Sequence, residues 1–419
     1  MRQEKGGDMK KMQNMLMIGL SIAVAFSCEV VDVEVKDPGK EQQDTVQIAL
    51  KDVAGILAQI PLQDMHVREV HGAVGSSSGN GYDEEYTMKH IFGNPGAGVG
   101  EKATKAPVDN PLRDLIEHHV RSGAATKAGA PVSDADAYLE ALVSSDIQIY
   151  WPYSDGWNGE TLPVITFDPE NEAKTNIGYK LVVNDDGSRH VEEVVVDEAM
   201  AAERPVWVVN RNSDAEFTSL EMLRREDPDW GEGGGTIIIE QQRAAGLSNT
   251  KRSRGSTKGM NGRSLILKDF TMKRNYDSWF AGASEFWVKI GAVEDFTAVT
   301  EAEMYLYNPS VTDFMIVVKR NQMGKPQPFN AVLVSSWTDQ MVNSAFMITE
   351  DDGGTRTQWK CTALVRVESR SFGIELELPF NSRDDIVWRG QLASKWLEAH
   401  DNIVGHFGDV DLTFEVVEY

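Results

Sequence analysis

Positive charge and cysteine are both scarce in this sequence. Against 65 Asp and Glu stand 41 Lys and Arg, a net charge of −24 over 419 residues. That deficit argues against nucleic acid as a partner, because phosphate binding needs clustered Lys and Arg. Two cysteines, Cys28 and Cys361, are too few for a disulfide framework or a Cys-rich zinc site. Recognisable catalytic motifs are missing too. There is no HExxH, and His118-His119 would point about 100° apart on a helix and so could not chelate together. There is no GxSxG elbow or SxxK set. The glycine-rich run 93–100 (GNPGAGVG) lacks the Lys-Ser/Thr end of a phosphate loop. What remains is 41% apolar and 25% charged, the composition of a folded protein long enough for two or three domains.

The N-terminus carries the most specific pattern. Lys10 and Lys11 precede an apolar run from Met15 to Phe26, and the small residues Ala25 and Ser27 sit at −3 and −1 relative to Cys28. This is the three-part layout of a secretory signal. The run is shorter than the roughly 20 residues a spanning helix needs. Ala25-Phe26-Ser27-Cys28 resembles a bacterial lipobox, closest to the looser forms of Bacteroidetes lipoproteins. The resemblance implies cleavage before Cys28, acylation of its thiol, and an outer-membrane lipoprotein of the cell envelope, facing either the periplasm or the surface. The acids Glu29, Asp32, Glu34 and Asp37 weakly resemble the surface-export signal of that family. Met9 is then the natural start. Residues 1–27 hold four basic and two acidic side chains, so their removal takes the net charge from −24 to −26.

Patterning divides the rest. Residues 28–42 read as a tether and 43–145 as a helical region. Val46, Ala49, Leu50, Val53, Ile56, Leu57 and Ile60 recur at helical spacing until Pro61. Further helices are expected over 62–74, over 83–92 with Asp83 as N-cap, over 112–120, and from Asp134 to Val143. The stretches 75–81 and 93–110 read as loops. Residues 146–240 read as β-rich or α+β, with Asp186-Gly187 as a hairpin turn. Residues 241–263, with Lys251, Arg252, Arg254, Lys258 and Arg263 among Gly and Ser, read as a basic linker or long loop. From 264 to 419 short strands alternate with turn signals, including a strand at 303–308 and a hairpin turn at 351–354, with a short helix at 390–398. The fold class expected is α+β: N-terminal helical region, middle β-rich region, C-terminal antiparallel β-sandwich, for which the C2 type is one form.

Two sets of residues could carry a site. Trp151, Tyr153 and Trp157 form the densest aromatic cluster. Exposed, they could stack on sugar faces; buried, they are core or an interface. Asn381, Asp384, Asp385, Asp409 and Asp411 offer hard oxygen ligands for calcium at the end of a sandwich, if their loops meet. No catalytic residue can be nominated among 65 acids. The leading expectation is a lipid-anchored, non-catalytic binding protein for a glycan or protein, with calcium as an option and no nucleic acid. The alternatives are an extracytoplasmic hydrolase without a readable motif and a calcium-binding structural module.

Overall fold

The computed structural model describes residues 30–31, 48–93, 110–122, 134–171, 173–184, 186–212, 218–226 and 263–418. Cys28, the bulk of the basic stretch 241–263 and residues 94–109 of the expected loop 93–110 lie outside them. The chain folds as α+β: N-terminal helices, a mixed sheet, then antiparallel sheets in the C-terminal half, with no closed barrel among the described residues. No described helix is long and apolar enough to cross a membrane.

Strand β1 (Val30–Val31) is followed by helices α1 (Leu50–Gln59) and α2 (Asp64–Gly79). Helix α1 buries Leu50, Val53, Ile56 and Leu57 on one face. It stops where Pro61 holds the preceding residue extended, at Ile60 φ −69°, ψ 146°. Next come β2 (Glu85–Thr87), α3 (Met88–Phe92), α4 (Pro111–Arg121) and α5 (Ala135–Val143). Proline opens α4, where its missing N–H costs nothing, and Leu112, Ile116 and Val120 line its buried side. Asp134 caps α5 by accepting from the backbone of Asp136 and Ala137, each at 3.1 Å.

The mixed sheet has the order β2-β3-β7-β4-β5-β6, with β3 (Ile147–Tyr150), β4 (Val164–Phe167), β5 (Thr175–Val183), β6 (Arg189–Asp197) and β7 (Val206–Arg211). Only the β4–β7 pair in it is parallel. Helix α6 (Glu198–Glu203) links β6 to β7, and α7 (Leu220–Glu226) follows. Ile147, Ile149, Ile165, Trp207 and Val209 face the helices in one shared core. Their neighbours Tyr150, Val164, Val206 and Val208 face the other way, toward Trp279 and Phe280 from the C-terminal half. Gly187, at φ 78°, makes the expected β5–β6 turn.

The C-terminal half contains β8 (Arg263–Met272), β9 (Ser284–Ala292), α8 (Glu301–Met304), β10 (Ser310–Val318), β11 (Gln327–Trp337) and β12 (Met341–Glu350). It continues with β13 (Arg356–Val367), β14 (Arg370–Asn381), β15 (Asp385–Ala393), α9 (Ser394–Ala399), β16 (Val404–Phe407) and β17 (Val410–Glu418). One sheet runs β1-β13-β12-β9-β10, with β14 added to β13 and β15 to β12; the other runs β11-β8-β17-β16. Both feed one apolar core, in which Phe270 of β8 meets Phe286 of β9 at a ring separation of 5.0 Å. The β13–β14 hairpin leaves β12 after two paired positions, and β15 takes over the edge. Leu376 of β14 then lies over Gly291 of β9, so close that a Cβ there would meet it at 2.2 Å. Strands β9 and β12 are thereby covered on both faces.

Several local expectations need correcting. Residues 83–92 do not form one helix. Glu85–Thr87 pair with β3, and the helix begins at Met88, where the Thr87 hydroxyl accepts from His90 N at 3.1 Å. The stretch 75–81 is not all loop: α2 runs on to Gly79, held by the burial of Val67, Val70 and Val74. At 303–308 there is no strand. Thr300 caps a turn of helix that buries Met304. Residues 351–354 join β12 to β13 without making a tight hairpin, because Asp351 is held by Trp287 and Asn381 while Gly353 and Gly354 take positive φ. The helix expected at 390–398 begins only at Ser394, since 385–393 pair with β12.

Candidate functional site

The face of β9 that turns away from Phe286, Val288 and Ile290 carries Glu285, Trp287 and Lys289. Ladder pairing sets Lys289 beside Asp313 of β10 and Trp287 beside Thr349 of β12. The hairpin β13–β14 closes over this face and leaves a cavity of about 110 Å³ lined by Trp287, Lys289, Arg356, Pro379, Phe380, Asn381 and Asp384. Lys289 is 2% exposed; its ammonium lies 3.6 Å from Asp313 and 4.7 Å from the Trp287 ring centre. Burial pulls Lys289 down and pushes Asp313 up, so each is drawn toward its neutral form. Asp384 accepts from Asn381 N at 2.8 Å, and its second oxygen has no donor. Burial raises its carboxyl to about 6. Both Asp313 oxygens and the Thr349 hydroxyl likewise lack a hydrogen-bond partner. Such orphans in a buried setting mark room for water or for a ligand.

A second polar cluster sits at the ends of β9 and β12. Single oxygens of Asp277, Glu285 and Glu350 all lie within 4.8 Å of one another. Glu350 is 1% and Glu285 4% exposed. Burial, and then the neighbouring Asp277, push Glu350 up to about 11; burial raises Asp277 to about 6. Asp277 belongs to the loop 273–283, which leaves the C-terminal sheets and docks on the mixed sheet. There the Trp279 indole donates to Lys174 O at 3.0 Å, and Asn210 donates to Phe280 O at 3.1 Å. Asp83, expected as a helix cap, instead accepts from Ala283 N at 3.0 Å. Arg320 closes the junction, donating to Glu198 at 2.6 Å and to the backbone oxygens of Asp277 and Gly282.

The residues singled out by sequence are scattered. Trp151 is 1% exposed and packs edge-on against Trp157 and Trp207. Tyr153, half-buried at φ 60°, donates to Glu198 at 2.9 Å beside Arg320, and Trp157 is half-buried. Their rings serve the helical core and the junction. Of the five oxygen donors, Asn381 and Asp384 come together. Asp385 is exposed at the start of β15. Asp409 pairs with Arg274 at 2.7 Å, and Asp411 with His406 at 2.6 Å and with Lys273. Sequence reasoning missed Lys289, Asp313, Asp277, Glu285 and Glu350. One signal was available: in SEFWVKIGA, charges flank Trp287 on one side of a strand whose other side is apolar from Phe286 onward. Compared with protein-family models, curated proteins and solved structures, the chain matches none.

Proposed function

We propose that this chain is a non-catalytic binding protein of a bacterial cell envelope, held by a lipid on Cys28, that takes the edge of a sugar into the cavity under the β13–β14 hairpin. The cavity carries the reading. It combines ring surface from Trp287 and Phe380 with converging donors and acceptors from Lys289, Arg356, Asn381 and Asp384, the mixture of apolar wall and few placed polar groups that marks ligand sites. At about 110 Å³ it is well below the roughly 300 Å³ of a drug-sized pocket, so it suits one end group of a larger glycan. Asp384 is the one carboxylate among the lining residues. Glycoside hydrolysis wants a facing pair, and in the second cluster Glu285 and Glu350 are both buried. This favours binding over catalysis.

The anchor and the outer-membrane location rest on the lipobox-like residues alone. The two antiparallel sheets with their shared core support the finer reading of a β-sandwich. A C2-type calcium site has less support, because Asp409 and Asp411 already hold basic partners. The test is calorimetric titration with a panel of neutral and acidic saccharides. Binding that weakens about tenfold in Asp384→Asn, which keeps the shape and alters the orphan oxygen's chemistry, is the expected outcome. Saccharide binding indifferent to Asp384→Asn would remove the cavity from consideration, and no binding by any saccharide would sink the proposal.

A further inference from the structure

We infer that Lys289 and Asp313 join their side chains in an amide bond, which staples β9 covalently to β10 in the folded chain. Ladder pairing sets the two residues directly opposite one another. Both are almost wholly buried, at 2% and 5% exposed, and Lys289 Nζ stands 3.6 Å from one carboxyl oxygen of Asp313. Beyond this contact, neither Asp313 oxygen has a hydrogen-bond donor. Groups held this close by a fixed frame react as if at very high concentration. The unlinked pair is also costly, because two buried charges need further hydrogen bonds to offset their lost hydration. An amide is neutral and removes that cost.

The reaction needs a neutral amine and a carboxylic acid, and burial favours both of those forms. The charges that bear on the pair are Asp351 and Asp384 toward Lys289, and Arg356 toward Asp313. One proton passing from the ammonium to the carboxylate gives amine and acid with no change in net charge. The Nζ lone pair then forms a bond to Asp313 Cγ. The bond from Cγ to the hydroxyl oxygen breaks, and that hydroxyl leaves as water with one hydrogen from the amine. Nothing is oxidised or reduced, and no co-reactant is consumed. Asp384 carries the proton from nitrogen to the leaving hydroxyl. It lines the same cavity as Lys289, is 8% exposed, and has one oxygen without a donor. The cavity, at about 110 Å³, receives the released water, which needs roughly 30 Å³. The amide N–H stays at the cavity wall, so the staple goes beyond the saccharide reading and does not depend on it.

The experiment weighs the whole folded chain by intact mass spectrometry and then digests it. A mass about 18 Da below that of the sequence is expected, the loss of one water. Trypsin should fail to cut after Lys289 and release residues 275–319 as one peptide, which holds no other Lys or Arg before its end. Further cleavage after Glu294, Glu301 and Glu303 should leave the Lys289 and Asp313 fragments joined. Lys289→Met should show the full mass of its sequence. So should Lys289→Met combined with Asp313→Leu, which leaves no lone buried charge and guards against misfolding of the single variant. Asp384→Asn should also keep its water. A wild-type chain at full mass, cut normally after Lys289, would overturn the staple. A water loss that persists in Lys289→Met would place the dehydration elsewhere and overturn it too. A joined peptide in Asp384→Asn would overturn the proton route through Asp384. A chain of full mass that still binds saccharide would remove the staple and leave the proposed function standing.

Discussion

Phe286, Val288 and Ile290 turn to one side of β9, Glu285, Trp287 and Lys289 to the other, and hairpin β13–β14 covers what the second sheet does not. The first side meets Phe270, Phe346 and Phe414 in a dry core. The second meets Asp313, Thr349 and Asp384, several of whose polar atoms have no partner. Equal burial therefore has opposite meanings on the two sides. Apolar burial stabilises at roughly 25 cal/mol per Å². Polar burial without partners costs free energy and persists where the chemistry is used.

The sharpest way to expose this contrast is to empty each side in turn. Phe286→Ala removes a fully buried ring and is expected to cost about 3–5 kcal/mol in urea unfolding. On the polar side, Lys289→Met strands Asp313 and should cost about 3 kcal/mol, while adding Asp313→Leu should recover most of it. If the double variant is as unstable as the single, the ion pair is not what holds this face.

The smallest effect per step is in pH. Asp277 and Asp384 titrate at about 6 in the folded chain against 3.8 in the ordinary carboxyl. The folded state thus holds more protons than the unfolded one between those values, and stability falls as pH rises through them. The slope is at most about 1.4 kcal/mol per pH unit for each group. Glu350 extends the fall from 4.5 toward about 11. Asp384→Asn should flatten the slope below about pH 6 relative to wild type, measured by urea midpoints; an unchanged slope would mean that Asp384 does not titrate there.

Much of the fold was legible because it is written locally. The α1 stripe, the Asp134 cap and the Asp186-Gly187 turn each depend on residues within a few positions of one another. The misreadings arose where distant partners decide. Glu85–Thr87 become a strand because β3 lies beside them, and 351–354 make no tight turn because Trp287 and Asn381 hold Asp351. The site was less legible still. Asn381 and Asp384 are near in sequence and could be paired on paper. Asp277, Glu285 and Glu350 meet only through the β9–β12 ladder and the loop before it, and nothing marks them among 65 acids. The aromatic cluster drew attention because rings are rare and conspicuous, but the fold uses Trp151 as core.

Trp279 and Phe280 have a further bearing on how the molecule comes into being. A chain is made from its N-terminus, so the mixed sheet can form before these two residues exist. Until they arrive, Tyr150, Val164, Val206 and Val208 stand open as a sticky plane. The interval between the two events is the moment at which the nascent protein most needs a chaperone, and a truncation placed inside it would yield a product prone to clump.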